Sequence, residues 1–358
     1  MPRVPRVGFR VRPRQLDFSN STEPLNRRFL LAVGLFFAAV AVAACGGTYP
    51  QSALDPSSDF AGRLDGLFMQ IFWWAVGVFV LVEGVLLYTV FRWRENPARG
   101  RPPEVHGHVL MEIGWTVIPA LILVAIAIPT IRTIFLVDRP TADPDALVVE
   151  VTGRQWWWEF TYPELGITTA NEMHIPLGRT VDLRLRSADV IHSFWVPRLG
   201  GKRDVVPGRE NQLWFRPDSV GVFWGQCAEY CGTAHALMGL RVLVDAPADF
   251  EAWVTTNRSN AARPADSEAR AGQGVFMANA CVSCHEIRGT GARGQLGPDL
   301  THVGSRLTIG AGLLDNNLEN LIRWIDSTQV VKPGTLMPEV DLTESQIQQL
   351  AAYLLGLR

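Results

Sequence analysis

Two long apolar runs, at about residues 67 to 91 and 109 to 137, constrain this chain more than any other feature. Helical residues advance roughly 1.5 Å each, so either run can cross a hydrocarbon core of about 30 Å. Together they predict a transmembrane helical hairpin. Its connection carries Arg92, Arg94, Arg99 and Arg101, which predicts a cytoplasmic loop and places everything after residue 138 on the opposite side of the membrane. With 358 residues, 47% of them hydrophobic, the chain has room for soluble domains beyond the hairpin, and a net charge of −2 gives no reason to expect nucleic acid.

Upstream, residues 1 to 28 carry seven arginines, and an apolar run from Phe29 to Ala44 ends in small residues before Cys45. The form is that of a secretory leader over residues 1–45. The small residues before Cys45 resemble a bacterial lipoprotein cleavage box, which would make Cys45 an acylated first residue; an ordinary signal or an uncleaved anchor is the alternative. Inside the hairpin, Glu112 opens the second span and Glu83 lies deeper in the first. Acids within a membrane usually face a protein partner, although Glu112 stands near enough to the boundary to be merely solvated.

The stretch from Cys227 to Met238, CAEYCGTAHALM, places two cysteines at i and i+4, a histidine four residues later and a methionine three beyond that. Thiolate, imidazole and thioether together suit a soft metal such as copper, and His192 is the remote imidazole that would complete the shell. A mononuclear blue-copper site uses one thiolate; this loop has two, and each could bridge a pair of metal ions. A structural zinc site, a thioredoxin-like copper chaperone and a disulfide are the competing readings. The spacing Cys-x-Glu-x-Cys-x-x-x-His-x-x-Met, at Cys227, Glu229, Cys231, His235 and Met238, resembles the binuclear copper centre, CuA, of cytochrome c oxidase subunit II. That resemblance implies bridging by Cys227 and Cys231, one imidazole on each copper from His192 and His235, and weak ligation by Met238 and the Glu229 carbonyl. It also implies that the Glu229 side chain helps hold a magnesium ion shared with subunit I, and that Glu112, in a Glu-x-x-Trp-Thr segment, lies at the entrance of a proton pathway.

Around that loop, residues 145–247 break into short runs rich in β-branched and aromatic residues. Val181, Leu183 and Leu185 alternate with Asp182, Arg184 and Arg186, the period of a half-buried strand. Turn signals at Pro176-Leu177-Gly178, Gly200-Gly201, Pro207-Gly208 and Pro217-Asp218 divide the runs, and the sum predicts a cupredoxin-like all-β sandwich. Within Gln155-Trp156-Trp157-Trp158-Glu159 at least one Trp is expected to be packing; by resemblance to the family, Trp156 is the residue through which electrons enter. Lys202, Asp204 and the Pro207-Gly208-Arg209 turn fit the same pattern.

Residues 248–268 lose the strand pattern and read as a linker. Beyond them, Cys281-Val282-Ser283-Cys284-His285 is a c-type haem attachment motif: the two thiols form thioethers and His285 is an axial ligand. Met337 is the candidate sixth ligand, with His302 as its rival, and a Met ligand raises the haem potential. Pro298 resembles the cytochrome c proline whose carbonyl orients the ligand His. Thr343 and Gln346 form a possible capping box with Leu342 and Ile347 as a staple, and Ile347, Leu350, Ala351 and Leu354 share one helical face. Residues 269–358 are therefore expected to be an all-α class I cytochrome c domain.

Taken together, the chain resembles cytochrome c oxidase subunit II with a fused cytochrome c domain: a hairpin over 60–138, a CuA domain over 145–247 and a haem domain over 269–358. The resemblance implies the electron-entry subunit of a proton-translocating, oxygen-reducing oxidase in a bacterial plasma membrane, with its metal domains on the extracytoplasmic side. Subunits I and III would be its partners, and a cytochrome c or cytochrome bc complex its donor. The alternative is a membrane-anchored copper-delivery or assembly protein with a haem domain.

Overall fold

The structure is a computed structural model that describes residues 27–44, 47, 49–94 and 106–358. Cys45, and the loop residues Arg99 and Arg101, lie outside the described residues. The N-terminal unit holds one helix, α1 (Arg27–Ala44).

The second unit begins with α2 (Asp59–Arg92) and α3 (Val109–Val137). Neither buries any residue of its most apolar stretch, as a lipid or protein neighbour would require. The helix α2 starts about two turns before its apolar run, because those turns belong to the soluble domain. Ser58 caps it, its Oγ accepting from the Ala61 N–H at 3.0 Å and donating to the Leu199 carbonyl at 2.6 Å. Phe60, the second helical residue, is buried in the sandwich core. The end of α3 is held on the same domain by an ion pair between Asp138 and Arg203 at 3.1 Å and by the Trp214 indole donating to the Arg139 carbonyl at 2.7 Å. Glu83 lines the cleft between the two helices with Trp74, Val82 and Ile122.

Ten strands follow: β1 (Leu147–Arg154), β2 (Trp157–Tyr162), β3 (Ile167–Ala170), β4 (Glu172–Pro176), β5 (Val181–Ser187), β6 (His192–Trp195), β7 (Arg203–Val205), β8 (Asn211–Phe215), β9 (Gly221–Cys227) and β10 (Gly239–Asp245). They form two five-stranded sheets, ordered β3-β2-β1-β5-β8 and β4-β10-β9-β6-β7. Val181, Leu183 and Leu185 on β5 point into the core with Val149 and Val151 of β1, as period-two burial demands. Trp158, Phe160 and Phe194 fill the space between the sheets in edge-to-face contact.

The stretch read as a linker, 248–268, carries a helix. The helix α4 (Pro247–Arg258) buries Phe250 and Val254 against the sandwich, and Trp253 stacks on His174 at 4.6 Å, with His174 held by Asp245 at 2.7 Å. Only the segment between Ser259 and Asp266 is a connection.

The C-terminal domain contains α5 (Ser267–Ala278), α6 (Cys281–Cys284), a two-stranded ribbon of β11 (Thr308–Ile309) and β12 (Leu314–Asp315), α7 (Leu318–Asp326), α8 (Thr328–Val331) and α9 (Glu344–Leu355). The capping box at Thr343 and Gln346 is complete on both sides. Helices α5 and α9 cross at Gly272, where a Cβ would overlap the Gln349 carbonyl, so the crossing needs glycine; Phe276 meets Tyr353 edge-on at the same crossing.

The two soluble domains meet along a polar seam. Gly310, Ala311 and Gly312 are successive left-handed residues, and each carbonyl takes a donor: Lys332 Nζ at 3.0 Å, the Gly239 N–H at 3.0 Å and Arg241 Nη2 at 3.1 Å. Beside them the buried Glu172 of β4 accepts from the Leu307 and Thr308 N–H groups and from the Thr308 hydroxyl at 2.9, 2.7 and 2.9 Å.

Candidate metal centres

Strand β9 ends at Cys227 and β10 begins at Gly239, so the ligand-rich loop spans a tight connection between paired strands, closed by the Cys227 N–H donating to the Met238 carbonyl at 2.9 Å. Strand β6 lies beside β9 and delivers His192 to the same place. The sulfurs of Cys227 and Cys231 are 3.7 Å apart. His192 Nδ1 is 4.0 Å from the Cys227 sulfur, His235 Nδ1 is 3.6 Å from Cys231, and the Met238 sulfur is 3.8 Å from Cys231. The Glu229 carbonyl lies 3.2 Å from the Cys227 sulfur, while its side chain is exposed. All six sequence candidates are thus gathered around one point, with His192, Cys227 and Cys231 buried.

The electrostatics suit a soft cation. A hydrogen bond from Cys231 is the main influence holding the Cys227 thiol well below its ordinary pKa, aided by His192 and by the Ser193 and Glu229 backbone. Two close thiols that cannot both ionise freely in a buried site, with imidazoles beside them, supply negative charge that a copper pair would balance. A zinc site would have no use for the Met238 thioether. The sulfurs are also too far apart for a disulfide bond, which is about 2 Å long.

Asp189 was not singled out by the sequence reading, yet it orders this site. Its carboxylate accepts from His192 Nε2 at 2.7 Å, which leaves the Nδ1 lone pair facing Cys227. Burial works against protonation of His192, but Asp189 and Cys227 outweigh it and raise its pKa. The other Asp189 oxygen accepts the Gln155 N–H at 2.6 Å. The only prior sign was an acid three residues before the histidine. From the adjoining Trp156, 7% exposed, the indole N–H donates to the Cys231 carbonyl at 3.0 Å, and the Gln155 amide does so at 2.7 Å. Trp158 is packing, completely buried beside His192.

The second candidate centre is a cavity of about 530 Å³ in the C-terminal domain, lined by Cys281, Cys284, His285 and Met337 among apolar residues such as Leu321 and Leu354. Its form fits a haem. His285 Nδ1 donates to the Pro298 carbonyl at 2.7 Å, so Nε2 is the free ligand atom, and burial keeps the imidazole neutral by lowering its pKa. Gly297 is required for this: a Cβ there would be 2.6 Å from the His285 ring. The loop carrying Met337 is braced by the Gln329 amide, which donates to the Thr335 and Met337 carbonyls at 2.7 and 3.1 Å. His302, the rival ligand, is absent from the lining; its Nε2 faces the Ser259 carbonyl at 3.2 Å. Trp156 lines this cavity too, so one residue touches both candidate centres.

Glu112 lies in the first turn of α3, exposed and remote in sequence from both soluble domains, with its carbonyl accepting from Thr116.

Comparison with known proteins agrees along the chain. The family "Cytochrome C oxidase subunit II, transmembrane domain" matches residues 48–133, its periplasmic domain matches 165–245, and the "Cytochrome c" family matches 269–358. Cytochrome c oxidase subunit 2 of Alkalihalophilus pseudofirmus is 38% identical over 331 residues, covering 90% of this chain and 96% of that protein. The subunit 2 of Bacillus sp. strain PS3 is 38% identical over 287 residues, 75% of this chain and 80% of its own length. Quinol oxidase subunit 2 of Bacillus subtilis is 32% identical but covers 60% of this chain and 69% of its own. With both membrane and sheet domains matched, a cytochrome c domain behind them, and a relative aligned nearly end to end, the chain belongs to the cytochrome c oxidase subunit II family and is a membrane-anchored subunit of a haem-copper oxidase.

Proposed function

We propose that this chain is the electron-entry subunit of its oxidase, receiving electrons at its own c-type haem and passing them through a binuclear CuA centre to subunit I, where oxygen is reduced to water with proton translocation. Cys227, Cys231, His192, His235, Met238 and the Glu229 carbonyl would hold the copper pair; Cys281 and Cys284 would attach the haem, with His285 and Met337 axial. Both groups, when bound, supply reversible one-electron chemistry.

The observation that carries this reading is the placement of Trp156, which lines the haem cavity and donates its indole N–H to Cys231. Being buried between the two, Trp156 acts as an internal relay, and an external donor meets the haem domain. Asp189 keeps His192 in one tautomer and fixes the Gln155-Trp156 turn, so the ligands and the relay are set by one carboxylate. The two-sheet frame limits how far the ligands move when the charge of the site changes, which fast transfer needs. Glu112, at the opposite end of the hairpin, would accept protons for subunit I, and the exposed Glu229 carboxylate would share a magnesium ion with that subunit. By the arginine bias of its loop, the hairpin sets both soluble domains outside the bacterial plasma membrane. Subunit III and a cytochrome c or bc complex as donor complete the assembly.

Metal analysis with electron paramagnetic resonance on the full chain in detergent tests this. Two coppers per haem iron with a delocalised mixed-valence signal are expected. One labile copper would favour the delivery or assembly reading instead, and loss of copper with retained haem would point to a quinol-type subunit.

A further inference from the structure

Lys332 is a buried ammonium that the electron path as described leaves unused. It is 2% exposed and takes part in none of the ion pairs among the described residues. Its Nζ donates instead to two backbone carbonyls, Trp156 at 2.7 Å in the sandwich and Gly310 at 3.0 Å in the haem domain. A buried cation without a carboxylate partner carries a large desolvation cost; burial pushes its pKa down to about 7, opposed only by the negative charge of Cys231. An apolar side chain would fill the same space without that cost.

Its position suggests what offsets the cost. Lys332 opens the loop that carries Met337, and it lines the haem cavity. Two residues on, Gly334 adopts a left-handed conformation against Thr233 of the copper loop, where a Cβ would lie 3.0 Å from the threonine side chain. From Lys332 two hydrogen bonds run in series to the copper site: Nζ to the Trp156 carbonyl, then the Trp156 indole N–H to the Cys231 carbonyl. An ammonium has three N–H groups; two are used here. A positive charge in a low-dielectric seam also favours the electron-rich state of whatever redox group stands beside it.

We propose that Lys332 is a positioning residue for transfer between the two centres: its ammonium fastens the Met337 loop to the Trp156 backbone, and its buried charge raises the reduction potential of the haem. This rests on the assignment of haem to the cavity and copper to the Cys227–Met238 loop. The transfer is of one electron, oxidising one centre and reducing the other; no proton of Lys332 moves in that step, and with a pKa of about 7 the effect on the potential belongs to its ammonium form.

The test uses the assembled oxidase with K332M, K332R and, separately, W156A. The haem midpoint potential is read by spectroelectrochemical titration and haem-to-copper transfer by flash-induced kinetics, with the copper resonance and haem absorbance as controls for both centres. K332M is expected to lower the haem potential, which alone would favour transfer to copper, and nevertheless to slow transfer at least tenfold through loss of the clamp, with both controls intact; K332R is expected to restore the potential. Should K332M fail to retain haem, K332Q carries the same comparison. An unchanged potential and rate in the neutral variant overturns the proposal, as does a K332R potential equal to that of K332M. Missing copper or haem signals in the parent protein would instead defeat the assignment of the centres. If W156A leaves the rate unchanged while K332M slows it, the clamp stands and the relay through the indole does not.

Discussion

At the residue scale the candidate copper site depends on a side chain that is not a ligand. Asp189 reaches both His192 and the Gln155 N–H, so it fixes the tautomer of one ligand and the turn that places Trp156. Outer partners of this kind typically change metal affinity by 10 to 100-fold when removed. Asp189→Ala is therefore expected to weaken copper binding by about 10 to 100-fold, read by competition with a chelator, while the Cys227 and Cys231 sulfurs still titrate with a thiol reagent once the metal is stripped. Wild-type affinity in that variant would reduce Asp189 to surface decoration. The candidate ligands were legible as a cluster because each is a chemically rare residue at a fixed offset, and the fold gathers them. Asp189 and Lys332 were not, since a common charged residue acquires its role only when the fold brings His192, or the Trp156 carbonyl, beside it.

Between elements, the contact that matters most joins β4 to the segment entering β11. Glu172 is 2% exposed and its carboxylate takes three hydrogen bonds from Leu307 and Thr308. Hydrogen bonds to a charged acceptor are worth roughly 1.5 to 3 kcal/mol each, and stranding the donors in a buried seam adds a desolvation penalty. Glu172→Ala should destabilise the docked haem domain by about 3 kcal/mol or more. In a denaturant titration followed by haem absorbance and by tryptophan fluorescence, the haem transition would move to lower denaturant and separate from that of the sandwich; coincident, unshifted transitions would contradict it. Strand alternation on β5 and the capping box of α9 were readable because local periodicity and capping chemistry decide them. The helix α4 was hidden for the opposite reason: Phe250, Trp253 and Val254 are few in a polar stretch, and only the sandwich surface with His174 makes them a buried face.

Over the whole molecule, the cytochrome c domain is docked on the sheet domain by the hydrogen bonds of Glu172, Arg241 and Lys332, which on the proposed electron path would fix the donor beside its acceptor. Encounters between separate charged proteins are steered by long-range fields, which salt screens over a Debye length of about 10 Å at 0.1 M. Buried hydrogen bonds between docked domains are screened far less. Raising ionic strength about tenfold, a change that shortens the Debye length roughly threefold, should leave the haem-to-copper rate within about a factor of two. Over the same range, electron delivery from a charged external donor to the haem should fall steeply. Both rates can be followed in one experiment, by flash reduction of the haem in the first case and by mixing with reduced donor in the second. If the internal rate fell in parallel with the external one, the haem domain would be exchanging between docked and free positions, and the seam would be a meeting point in place of a fixed junction.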